Sequence, residues 1–224
     1  MIVHDSVPGH VGPPAPEFEA GFRDAFEQLL MWRRDVRHFL PDPISEPVIQ
    51  RLIDLSCFAP SVGNSQPWRF VRVDGTQYRE AVIADFTQAN ADALGEYSGE
   101  QAALYAQLKL AGLQQAPVHL AVFSDEHTKQ GHRLGLKTMP EMLSYSTVAA
   151  VHTLWLAARA YGLGVGWVSI LTPDRINHIL DIPESWKLVA YLCIGYPCTQ
   201  DLTPELERSG WEYRRLQSRI ILRR

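Results

Sequence analysis

Cysteine is scarce in this chain, and the three present, Cys57, Cys193 and Cys198, are odd in number and form no C-x-x-C pair. That argues against a disulfide framework and a zinc knuckle, and a reducing cytoplasm is the simple expectation. An excess of charge of one sign is also missing. Lys and Arg total 21 against 25 Asp and Glu, a formal net charge of −4 over 224 residues, too small and of the wrong sign for a coat on nucleic acid or anionic membrane. No nucleic-acid or membrane partner is therefore expected, and basic residues should act locally. No apolar run approaches the ~20 residues that cross a bilayer; the longest, 147–158, is interrupted by His152 and Thr153. Residues 1–16 hold Gly9, Gly12 and four prolines but no basic segment followed by an apolar one, so they read as a flexible lead-in rather than a signal peptide.

Familiar catalytic and phosphate-binding signatures are absent as well. There is no G-x-x-x-x-G-K-[ST], H-E-x-x-H, G-x-S-x-G or EF-hand loop, and the eight histidines are scattered, so no metal site is expected. Glycines 162, 164 and 166 resemble a dinucleotide fingerprint, but Trp167 stands where its third glycine would fall. They also leave a helix and enter a strand, the reverse of a Rossmann loop, so a helix C-cap and tight turn is the plainer reading.

What is present is a mixed pattern. Phe18, Phe22, Phe26, Leu29 and Leu30 recur at helical spacing over 17–34. Ser45 reads as the N-cap of a second helix stopping before Pro60, and a loop covers 60–67. A strand at 69–73, helices at 78–94 and 100–113, a strand at 118–123 and a loop at 125–137 follow. Residues 141–161 form a helix apolar on nearly every side, which must be covered all round, either by the rest of a single domain or by a subunit interface, a first hint of a dimer. A short strand, a helix at 173–180, a strand at 187–195 and a tail complete the chain. Strands and helices do not strictly alternate, which favours α+β over a doubly wound sheet.

The run Arg33, Arg34, Asp35, Val36, Arg37 at the end of the first helix stands apart. Three guanidiniums suit a helix C-terminus, but a carboxylate there is repelled by the dipole unless the arginines neutralise it or chemistry holds it. Arginine forks match phosphate oxygens and can stabilise an anionic ring, which points to a phosphorylated aromatic cofactor. Burial would raise the Asp35 pKa and the arginines would lower it.

The motifs RRDVR at 33–37, APSVGNSQPW at 59–68, YSTV at 145–148, LWLAARA at 154–160 and GVGWVS at 164–169 resemble the nitroreductase superfamily. Asp35 and the Gly-Trp-Val-Ser run resemble its 5,6-dimethylbenzimidazole synthase branch in particular. The resemblance implies a single FMN-binding domain over 17–224, an α+β fold with a central, mainly antiparallel sheet flanked by helices. It implies an interlocked homodimer whose C-terminal tail embraces the partner. By the same resemblance Arg33, Arg34 and Arg37 contact the flavin phosphate, ribityl chain and N1/O2 edge, Ser61 and Asn64 reach the flavin of the other subunit, and Arg214 is a late phosphate-binding arginine. Gln66, Pro67 and Trp68 are expected to be structural.

The implied reaction uses reduced FMN as both cofactor and substrate and dioxygen as co-substrate, giving 5,6-dimethylbenzimidazole and erythrose 4-phosphate. A separate flavin reductase would supply the FMNH2. Such chemistry needs a cation near N1, for which Arg37 is the candidate, and a base for the ribityl carbon, for which Asp35 is. Ser169 would hydrogen-bond the flavin, and the helical stretch 87–113 would act as a lid that excludes water. Two alternatives stay open. Asn64 matches ordinary nitroreductases and Leu143 stands near a position that is acidic in some relatives, which keeps an FMN-dependent NAD(P)H nitroreductase or flavin reductase in view. A non-catalytic flavin-binding protein, with Asp35 as a mere charge partner, is the other.

Overall fold

In the computed structural model, which describes residues 15–107, 112–215 and 220–224, four strands make one antiparallel sheet in the order β1-β2-β4-β3. These are β1 (Trp68–Arg72), β2 (Val118–Asp125), β3 (Gly164–Val168) and β4 (Trp186–Gly195). The near-continuous apolar run of β2 is buried from Val118 to Ser124, as a central strand covered on both faces requires. Its register with β4 shifts between Val122 and Phe123. The expected α+β architecture is the one found.

Two helices cover one face of the sheet, α2 (Glu46–Ser56) and α6 (Met142–Ala160). Leu52, Val151 and Leu154 pack there against Leu120, Val122 and Leu192. The other face lies under α3 (Thr76–Leu94), α5 (Gly112–Gln115) and α7 (Pro173–Ile179), with Val82, Leu113 and Ile176 against Ala121, Phe123 and Tyr191. Buried Asp85 on α3 accepts the Thr172 N–H at 2.8 Å, so α3 caps the start of α7 from outside. Two further helices, α4 (Gly99–Gln107) and α8 (Glu205–Arg208), flank the sheet's cores rather than fill them.

α1 (Ala20–Trp32) departs from expectation. An amphipathic helix should bury its stripe, yet α1 buries no residue in this chain and rests on α6. Phe18, Phe22 and Phe26 stack in a row, with centroids 4.5 and 6.5 Å apart, and remain 44 to 59% exposed. α6 likewise buries Leu143, Ala150, Val151, Leu154 and Ala158 while leaving Tyr145, Val148 and His152 exposed. The all-round apolar helix is thus covered on one side only within a single chain.

Other differences are local. α1 ends at Trp32, and Arg33 is already extended (φ −66°, ψ 123°), so the arginine run is not the last helical turn and the dipole argument does not apply to Asp35. The 125–137 segment contains a 3-10 turn, Gln130–Arg133, and α8 carried no sequence signal at its length. The lead-in lies outside the described residues over 1–14, as do 108–111 of the expected 100–113 helix. Gly162 (φ 74°) makes the turn after α6, as the capping reading anticipated. Gly166 has a different purpose: a Cβ there would sit 2.3 Å from the Val36 carbonyl oxygen. Its missing side chain lets residues 35–39 lie against β3, an edge strand.

Candidate active site

That close approach builds the site. Asp35 forms a parallel bridge with Val165, and the Val36 N–H donates to the Val165 carbonyl at 3.0 Å. The outer edge of β3 is therefore occupied by the segment carrying the arginines. Asp35 Oδ1 accepts the Trp167 backbone N–H at 3.0 Å, and Oδ2 lies 3.4 Å from Arg37 Nε. The Arg37 side chain is only 12% exposed, whereas 38% of the Asp35 side chain opens onto the cleft. Burial pushes the Asp35 carboxyl above the usual carboxylate range, and the Trp167 N–H and Arg37 only partly oppose it. Desolvation thus decides the contest that the sequence left open.

Arg33, Arg34 and Arg37 line the same cleft, which lies between residues 32–38, Trp155 and Arg159 of α6, and the 197–208 segment. The Arg33 guanidinium lies 4.9 Å from the centre of the Trp155 ring. The Trp155 indole N–H donates to the Arg34 carbonyl at 3.1 Å. Arg34 Nη1 donates to the Arg33 carbonyl at 2.7 Å, and Nη2 donates to the Leu202 carbonyl. Among the described residues, Arg34 Nε is buried with no acceptor. Burial lowers the pKa of Arg33 and of Arg34; the Asp35 carboxylate partly opposes this at Arg33, and Arg214 lowers both by repulsion. Arg214, 71% exposed, has its Nε 3.9 Å from Glu207 Oε1. Three guanidiniums within mutual reach, one with an orphaned buried donor, are the setting that a phosphate dianion satisfies.

The remaining expected residues fall elsewhere. Ser61 precedes, and Asn64 ends, a 3-10 turn, Val62–Asn64, that packs on the N-terminal part of α6. The Val62 N–H donates to Ser146 Oγ at 3.0 Å. Ser61 Oγ accepts the Gln66 N–H at 3.1 Å, and Asn64 Oδ1 accepts from Gln66 Nε2 at 3.1 Å. Ser146 and Trp155 are nine residues apart on one helix, roughly 13 Å, so one chain does not bring these two groups of residues together. Trp68 is core, packed with Ala59 and Ala150. Ser169 lies one residue past β3 and is exposed, two residues from the Trp167 N–H that holds Asp35. Leu143 is buried on the inner face of α6 and lines no part of the cleft. In the stretch expected as a lid, Tyr97 stacks on Tyr105 at 4.8 Å and both meet Trp211 at 5.7 and 6.2 Å, joining α4 to the segment that carries Arg214.

Trp155 was missed as a site residue. Its one signal was an indole N–H inside an otherwise apolar helix, a donor that needs an acceptor when buried. The Trp167 backbone donor had no side-chain signal at all. Among the described residues no group of three His, Cys, Asp or Glu could hold a metal, and no helix is long and apolar enough to cross a membrane.

Comparison with known proteins adds an independent line. The Nitroreductase family model matches residues 30–196. The chain is 57% identical over 200 residues to a 5,6-dimethylbenzimidazole synthase of Rhodospirillum rubrum, covering 89% of this chain and 95% of that one. It is 53% identical over 195 residues to one of Rhodobacter capsulatus, covering 87% and 94%. A crystal structure of iodotyrosine deiodinase bound to FMN and 3-iodo-L-tyrosine superimposes with a TM-score of 0.70 at 21% identity, over 88% of this chain and 97% of that one, which establishes the fold. The chain belongs to the nitroreductase family and, within it, to the 5,6-dimethylbenzimidazole synthases.

Proposed function

We propose that this chain fragments reduced FMN with dioxygen, giving 5,6-dimethylbenzimidazole and, from the ribityl chain, erythrose 4-phosphate. The observation that carries the reading is the seat of Asp35. A carboxylate fixed by a strand N–H, raised in pKa and still open to a cationic cleft has the properties of a general base. Its raised pKa also means that ionised Asp35 weakens the fold at neutral pH, so the residue is kept at a cost to stability.

The residues present fit FMN. Arg33, Arg34 and Arg214 hold the phosphate, the orphaned Arg34 Nε supplying a donor already stripped of water. Arg37 balances negative charge at the N1/O2 edge and, 3.4 Å from Asp35, holds that carboxylate in place. Reduced flavin supplies the electrons that activate dioxygen. Asp35 takes a proton from the ribityl carbon, and Ser169 Oγ, exposed beyond β3, hydrogen-bonds the ring system. The described part of the expected lid, 87–107 and 112–113, tied to the C-terminal segment through Tyr97, Tyr105 and Trp211, excludes water.

The working form is a homodimer in the cytoplasm. The exposed phenylalanine row of α1 and the strip Tyr145, Val148 and His152 on α6 are the surfaces that a second copy covers. That copy contributes Ser61 and Asn64, which one chain leaves roughly 13 Å along α6 from its own arginines. A separate flavin reductase supplies FMNH2. An NAD(P)H nitroreductase or a flavin carrier would use the same arginines but has no need of Asp35.

The test of the site is Arg214→Ala. Loss of one charge-assisted hydrogen bond should cost roughly 1.5–3 kcal/mol of FMN affinity, about ten- to a hundredfold in Kd by fluorescence titration. Parental affinity would remove Arg214 from the phosphate site.

A further inference from the structure

We infer that Trp155 is a positioning residue of the phosphate-binding site, holding Arg33 in place without neutralising it. The inference rests on the reading of Arg33 as a phosphate ligand. Three contacts carry it. The Arg33 guanidinium lies 4.9 Å from the indole ring centre. The indole N–H donates to the carbonyl of Arg34 at 3.1 Å, which pins the peptide joining Arg34 to Asp35. The ring also lies 6.3 Å from that of Trp167, whose backbone N–H holds the Asp35 carboxylate. One side chain thus touches each part of the 33–35 run or its support.

The chemistry of the contact is what matters. Among the described residues, the Arg33 guanidinium makes no hydrogen bond or ion pair; the indole face orients it. A carboxylate in that position would satisfy the guanidinium and compete with an incoming phosphate. A ring quadrupole attracts the cation but leaves its N–H fork and its full charge available. Trp is the strongest of the aromatic faces for this purpose, and only Trp adds an edge N–H placed to fix the Arg34 carbonyl.

The consequence is specific to the phosphate. FMN and riboflavin share the ring and the ribityl chain, so the ratio of their affinities isolates the phosphate contact. Trp155→Leu should lower FMN affinity about tenfold and riboflavin affinity less than twofold, within the ~0.5–2 kcal/mol of a cation–π contact. Trp155→Phe keeps a weaker face and should reduce the FMN-to-riboflavin ratio about two- to threefold. Both effects should shrink on an Arg33→Ala background, because the guanidinium held by the ring face is gone and only the lost N–H bond to the Arg34 carbonyl is left to act. Should the Leu variant not fold, the Phe variant and its Arg33→Ala double decide alone. Equal losses for FMN and riboflavin, or losses that add to that of Arg33→Ala, would overturn the inference and make Trp155 ordinary packing. If Arg33→Ala by itself leaves the ratio unchanged, the phosphate reading of Arg33 fails, and the role of Trp155 with it. If Arg33→Ala collapses the ratio and the Trp155 variants do not, only the role of Trp155 fails.

Discussion

Substituting Gly166 by Ala should disable the site before it unfolds the protein. The new Cβ would lie 2.3 Å from the Val36 carbonyl oxygen, where a carbon–oxygen contact needs about 3.3 Å, so one backbone must retreat by roughly 1 Å. The Val36 carbonyl belongs to the segment that the Val36 N–H fastens to Val165 at 3.0 Å, and Asp35 immediately precedes it. Overpacking of this kind costs roughly 1–3 kcal/mol, a fall in Tm of about 3–10 °C for a chain of this size. The displacement also stretches the 3.0 Å bond from the Trp167 N–H to Asp35. Product formation should therefore fall at least about tenfold, since a misplacement near 1 Å is worth up to about a hundredfold. Gly162→Ala is the control, because Gly162 has positive φ but open space around its Cβ position. It should lose stability while retaining product formation in folded protein. Measuring Tm and 5,6-dimethylbenzimidazole yield for both variants tests the reasoning. Gly166→Ala with parental Tm and yield would refute it, as would equal loss of yield in the two variants.

Two further outcomes are expected. His119, buried in the sheet with Nδ1 3.0 Å from the Tyr191 hydroxyl, has its pKa pushed down to about 4 by burial. The unfolded chain therefore binds the extra proton first, and stability is complete above about pH 6.5 and declines as pH falls toward 4, by roughly 3 kcal/mol in all. His119→Gln should flatten that slope in denaturant titrations; an unchanged slope would show that His119 does not carry it. Phe22→Glu places a charge in the exposed aromatic row of α1 and should shift the protein from dimer to monomer in sedimentation, with loss of stoichiometric FMN binding. A dimer that persists would move the interface elsewhere.

Much of the fold was legible because its elements carry strong local patterns. The continuous apolar run of β2 and the length of α6 are examples, and both lie within two residues of where the pattern puts them. The site was legible only in part. Arg33, Arg34 and Asp35 could be singled out as an anomaly of charge, but the dipole argument attached them to a helix end that in fact stops at Trp32. What seats Asp35 is the edge of a strand about 130 residues away in the chain, and no local pattern reports such a contact. The α1 stripe illustrates the opposite limit: its periodicity was plain, but periodicity does not say whether the covering surface belongs to the same chain. Trp155 escaped notice because its ring reads as apolar, while its N–H and its face act on residues that only the fold brings near.

On the proposed reading, Asp35 serves a reaction that consumes the flavin. The most direct measurement is the chromatographic yield of 5,6-dimethylbenzimidazole after FMNH2 and the protein are mixed without oxygen and then exposed to air, for the parent and for Asp35→Asn. Asn keeps the size and the bond from the Trp167 N–H but cannot take a proton. The parent should accumulate benzimidazole. The variant should bind FMN, be at least as stable at pH 7 because the raised pKa of Asp35 is no longer a burden, and form product at least about a hundredfold more slowly. Intact FMN recovered from the parent, or undiminished benzimidazole from Asp35→Asn, would contradict the account.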